Sequence, residues 1–120
     1  MGLDGGIIQC IPLSEMAYHV GADKYTPFAL HRFGDYPNNC TIGIELCHLD
    51  REGRFTAETL DKAAILCTSL CDRYDLEPEG AITTHHAITG KHCPRWFVRH
   101  PAALEEFRHA VRHLMVEELI

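Results

Sequence analysis

Hydrophobic positions recur at helical spacing over two long stretches of the chain. In the first, Leu60, Ala63, Ala64, Cys67, Leu70, Cys71 and Tyr74 form one apolar stripe, as on a helix with one buried face. Thr56 stands just before it as an N-cap, and Glu77-Pro78-Glu79-Gly80 ends it. In the second, Leu104, Phe107, Val111, Leu114 and Met115 form the inner stripe of a final helix opened by Pro101. A short helix is predicted at Thr26-Pro27-Phe28-Ala29-Leu30, with Thr26 as cap and Pro27 at the first helical position.

Elsewhere the period is two. In Thr41 to Cys47, Ile42, Ile44 and Leu46 share one side, and Thr41, Gly43, Glu45 and Cys47 the other, the pattern of a strand. Ile7 to Ile11 reads as the return strand of a hairpin turned at Asp4-Gly5. Ala81 to Thr84 reads as a short strand leading into a His-rich segment, and residues 13–40 are mostly loop. The element order predicts one α/β domain over residues 1–120, a single mixed β-sheet flanked by α-helices. Periodicity leaves the strand order open.

Composition narrows the class. Hydrophobic residues at 46% and charged residues at 23% suit a soluble globular domain. A net charge of −6 and no basic run argue against nucleic-acid binding. No apolar run is long enough to span a membrane, and the first residues do not form a signal peptide. The expected product is made in the cytoplasm. The six Cys contain no Cys-x-x-Cys pair, and most are expected to be buried reduced thiols rather than a disulfide framework.

Chemistry concentrates in Thr84-His85-His86-Ala87-Ile88-Thr89-Gly90-Lys91-His92-Cys93-Pro94. Imidazole and thiolate are good zinc ligands, and His85 and Cys93 flank a turn at Gly90 that can bring them onto one ion. The same spacing also fits a surface His cluster beside a half-buried Cys. Glu45 stands in mid-strand on the side with small residues. It can be a general base facing a cleft, or a solvent-facing strand residue. His19 is a loop His, and His31, His48, His86 and His92 carry no stronger signal; His100, His109 and His113 are expected to face solvent.

Three segments occur in a telling order: Tyr18-His19-Val20-Gly21, then Tyr36 to Cys47 with its Ile42-Gly43-Ile44-Glu45, then His85 followed by Thr89-Gly90-Lys91-His92-Cys93-Pro94. Together they resemble the zinc-dependent N-acetylmuramoyl-L-alanine amidases of phage endolysins and bacterial autolysins, relatives of the peptidoglycan-recognition proteins. The resemblance implies cleavage of the amide between N-acetylmuramic acid and the L-alanine of the stem peptide, acting on the bacterial cell wall. It implies Zn2+ as cofactor and peptidoglycan as partner. By position it makes His85 and Cys93 zinc ligands, Glu45 the catalytic carboxylate, Lys91 the cation near the reacting carbonyl, and His19 a substrate-groove residue. His86 and Ala87 depart from the family pattern, where Tyr and Asp are common.

The family's first zinc His has no counterpart here. The chain therefore reads as the C-terminal portion of the family domain, without the strand that carries that ligand. His48, His31 or a second chain would have to complete the site. Loss of a central strand would leave an exposed sheet edge and favour a homodimer. Two other readings follow from the same gap: a peptidoglycan-binding module without hydrolysis, and a self-assembling fragment.

Overall fold

A computed structural model describes residues 1–118. In chain order the elements are α1 (Pro27–Phe33), a 3-10 turn (Pro37–Asn39), α2 (Ala57–Tyr74), α3 (Pro78–Ala81), α4 (His85–Thr89), α5 (Arg95–Arg99) and α6 (Pro101–Glu118). The expected α/β architecture with a single mixed sheet is not formed: the described residues contain helices and turns and no strand.

The physical reason is pairing. A strand is stabilised by a neighbour that takes its backbone hydrogen bonds. Among the described residues, Thr41 to Cys47 exchanges backbone hydrogen bonds only with Met1. The Met1 amino group donates to Glu45 O at 2.6 Å, and Cys47 N–H donates to Met1 O at 2.9 Å. Ile7 to Ile11 does not return along it. The hairpin expected at Asp4-Gly5 reduces to a tight turn, in which Gly5 N–H donates to Gly2 O at 3.0 Å and Gly2 N–H to Gly6 O at 2.8 Å. With no sheet, the expected sheet edge is absent too. What is exposed instead is a set of apolar side chains on irregular backbone, including Ile7, Ile8, Ile42, Ile44 and Leu49.

The helices expected from periodicity form. Thr26 caps α1 and its Oγ1 accepts from Ala29 N–H; Thr56 caps α2 and accepts from Thr59 N–H. α2 ends where Asp75 turns into the left-handed region at φ 54°, a conformation that Asp tolerates better than most side chains. The stop therefore precedes the Glu77–Gly80 segment that predicted it. That segment instead opens α3, and Ala81, read as the start of a strand, closes it. Trp96-Phe97-Val98 lies within α5.

The main core lies where α2 meets α6. Ala63, Ala64, Cys67 and Cys71 of α2 pack with Phe107 and Val111 of α6, and Phe55 and Phe97 complete the cluster. Leu104, Leu114 and Met115 flank it, so the whole predicted inner stripe of α6 faces the core. Burial pushes the Cys67 thiol up to about 12. The expectation that most Cys are buried fails: Cys67 and Cys71 are buried, Cys93 is half-buried, and Cys10, Cys40 and Cys47 are exposed. Cys47 ends the stretch expected as a strand, and Cys40 immediately precedes it.

A second, smaller cluster of Val20, Ala29 and Ile88 joins α1 to α4, with Tyr25 and Phe33 against it. Two hydrogen bonds fasten the same joint: Thr26 Oγ1 donates to Ala87 O at 2.6 Å and Thr26 N–H to Ile88 O at 2.9 Å. This joint positions the His-rich segment.

Candidate functional site

The His-rich segment is a helix and a return, not the end of a strand. Thr84 Oγ1 accepts from Ala87 N–H at 3.1 Å and caps α4, which places His85 at its first position. Five residues later Gly90 ends the helix at φ 84°, in the left-handed region. The chain then doubles back, and His86 N–H donates to Cys93 O at 2.9 Å. Residue 93 is thereby tied beside the first turn of α4, next to His85. Gly90 does supply the turn that the sequence predicts between the two.

His19 reaches this segment from the long loop. Its Nε2 lies 2.7 Å from Thr41 Oγ1 and its Nδ1 3.1 Å from Ala17 O. The Thr41 hydroxyl donates in turn to Pro37 O at 2.7 Å. Next to His19, Val20 N–H donates to the buried Asn38 Oδ1 at 2.9 Å. The His19 side chain packs close against Gly43, where an added Cβ would come within 2.8 Å of His19 Cβ, Cγ and Cδ2. A Gly amid apolar alternation signals such close approach, yet its partner, 24 residues away, is not legible from spacing.

His85, His19 and Lys91 share one electrostatic neighbourhood. Burial lowers the His85 pKa below the ordinary histidine value, and the positive charges of Lys91 and His19 lower it further. Lys91 is exposed, while His19 and His85 are half-buried. Glu45 follows Gly43 by two residues and is exposed. Its backbone carbonyl, held by the Met1 amino group, is its only hydrogen-bonded atom among the described contacts. His86 and His92 are exposed. The structure thus gathers His19, His85 and Lys91, ties Cys93 beside them, and sets Glu45 on the segment that supports His19. Thr41, Gly43 and Asn38 are positioning residues that the sequence reading did not single out.

The donor set can be tested against zinc. A catalytic zinc takes three protein ligands and keeps a position for water. Among the described residues no three His, Cys, Asp or Glu side chains converge on a common point. His48 turns its Nδ1 to Asp50 O at 3.0 Å, and His31 is exposed on α1, so neither makes a third donor with His85 and Cys93. The residues present do not fit a complete catalytic zinc centre.

Two outcomes follow from this geometry. Gly43→Ala should drive the His19 ring off Thr41 and cost about 1–3 kcal/mol, the usual range for overpacking. Denaturant unfolding measures the cost and the His19 ring resonances report the displacement; no change in either would contradict the contact. The second concerns pH. His85 titrates lower in the folded chain than unfolded, so its contribution is intact above the ordinary histidine pKa. It is lost as pH falls from about 6.5 through the folded value. In chelator-containing buffer, His85→Gln should flatten the loss of stability over that window, and an unchanged pH profile would contradict the shift.

Comparison with known proteins bears on this site. The family model described as N-acetylmuramoyl-L-alanine amidase matches residues 1–96, which include all of it. The N-acetylmuramoyl-L-alanine amidase BlyA of Bacillus subtilis (strain 168) is 29% identical over 111 residues, covering 88% of this chain and 30% of that protein. The N-acetylmuramoyl-L-alanine amidase CwlL of Bacillus licheniformis is 34% identical over 108 residues, covering 88% and 28%. A probable N-acetylmuramoyl-L-alanine amidase of the same species is 33% identical over 107 residues, again covering 88% and 28%. The chain thus spans under a third of the length of these relatives. No solved structure matches it. The family is generally zinc-dependent and its substrate is peptidoglycan. With a family match over 96 of 120 residues, and with His19, Glu45, His85, Lys91 and Cys93 all inside it, this chain belongs to the N-acetylmuramoyl-L-alanine amidase family.

Proposed function

We propose that the chain is the peptidoglycan-cleaving part of an amidase that hydrolyses the bond between N-acetylmuramic acid and L-alanine, acting on the bacterial cell wall. The observation that carries this reading is the gathering of His19, His85 and Lys91 around the α4 turn, within the region matched by the family. Amide hydrolysis needs a base for water, a positive charge for the developing oxyanion and a surface that holds the substrate. Glu45 is the carboxylate assigned to the first task, and the Lys91 ammonium to the second. His19, braced by Thr41 and Gly43, is a rigid wall for the third. Burial, with the nearby Lys91 and His19, lowers the His85 pKa and favours its neutral imidazole, the form that can ligate a metal. Cys93 is the second donor assigned to zinc. These two donors alone do not make a complete centre.

The test is product identity. Purified peptidoglycan incubated with the chain should release stem peptides bearing a new free L-alanine amino group, and leave glycan strands with intact lactyl groups. Cleavage at a different bond would reject the reading. Binding to the wall without any release would favour a binding module instead.

A further inference from the structure

The family site leaves unused a second set of metal-capable side chains on α6. His109 and His113 stand four residues apart on this regular 18-residue helix, and both are exposed. Residues at that spacing lie one above the other on a single helix face. Two His so placed are the helical arrangement that grips one zinc ion. The inner face of α6 is committed elsewhere, with Phe107 and Val111 in the core. Arg112, beside them on the helix, is held by Glu77 and Glu79 of the α3 region. The imidazoles therefore do not compete with the packing that holds α6 in place.

One neighbour orients the pair. Glu117, a further turn along, brings its Oε1 to 3.0 Å from His113 Nε2. With Nε2 so engaged, Nδ1 is the nitrogen left for an ion, and a carboxylate on the other nitrogen of a ligating His fixes the ring and raises its basicity. Glu79, whose carboxyl is held low chiefly by its hydrogen bond to Arg112, also lies near His109.

We propose that His109 and His113 form a two-histidine chelate for a late first-row divalent ion such as Zn2+ or Ni2+ on the exposed face of α6. Imidazole suits these ions, whereas Mg2+ and Ca2+ prefer oxygen ligands. No third donor converges with the two among the described residues, so water completes the coordination and the ion exchanges freely. The site shares no side chain with the His85 to Cys93 segment, and it stands or falls independently of the amidase reading.

Calorimetric titration of the full chain carrying His85→Ala and Cys93→Ser isolates it from that segment. ZnCl2 or NiCl2 should bind with one ion per chain, and MgCl2 should not bind. Adding His109→Gln or His113→Gln should weaken binding at least about tenfold, since even outer partners of metal sites act on that scale. Full-strength binding in a His109→Gln/His113→Gln variant would overturn the proposal, as would no binding in the parent. If the parent variant fails to fold, the unaltered chain decides the matter. Substoichiometric Cu2+ should broaden the His109 and His113 ring resonances, and broadening confined to other histidines would overturn the proposal.

Discussion

Glu45→Gln is expected to lower peptidoglycan hydrolysis about 100- to 10,000-fold, the usual weight of a general base. The substitution keeps the size and shape of the side chain and removes its ability to take a proton from water. Its structural cost should be small. Glu45 is exposed and its side chain makes no hydrogen bond or ion pair among the described contacts; what holds the segment is its backbone carbonyl against the Met1 amino group. Unfolding midpoints should therefore stay within the scatter of surface substitutions, about 0.5 kcal/mol. Activity near the starting level would show that Glu45 is not the base. Lost activity with lost stability would make it structural instead.

The largest expected effect on stability belongs to Phe97→Ala. Phe97 is 7% exposed. Its ring meets Phe55 at 5.2 Å between centroids and Phe107 at 5.9 Å. Truncation removes a ring from the junction of α5 with the α2–α6 core and leaves a cavity that rigid helices cannot fill. The expected loss is about 3–5 kcal/mol, a large part of the roughly 5–15 kcal/mol available to a domain. Tyr18→Ser, at a position 77% exposed, should by contrast change stability by about 0.5 kcal/mol or less. Denaturant unfolding compares the two directly, and equal losses would contradict the placement of the core.

What could be read from the sequence divides along the range of the interactions. Helix signals are local. Thr26-Pro27, Thr56 and the stripes of α2 and α6 announce themselves within a few residues, and the structure follows them. Alternation in Thr41 to Cys47 is equally local, but it specifies only the two sides of a strand and not a partner. Among the described residues only Met1 exchanges backbone hydrogen bonds with it, and the pattern does not become a sheet. The short helices α3, α4 and α5 span four or five residues each, too few for a period to show. Pro78 at the start of α3 and Thr84 before α4 are the available signals, but Pro78 also reads as part of a helix stop and Thr84 as the end of a strand.

The site divides the same way. His85, Lys91 and Cys93 lie within nine residues of one another, so a single turn at Gly90 brings them together. His19 joins them only through tertiary structure, by way of Thr41 and Gly43. Its approach depends on the missing Cβ at Gly43, a feature of one residue that means nothing until the other is placed.

The location of the site is the claim on which the functional reading turns. Titrating the chain with a soluble muramoyl-L-alanyl peptide, and following histidine ring and Lys91 resonances, tests it most directly. His19, His85 and Lys91 should shift together along one saturating curve, while His100 and His109, outside the site, stay still. Saturable binding that moves only residues outside this group would contradict it.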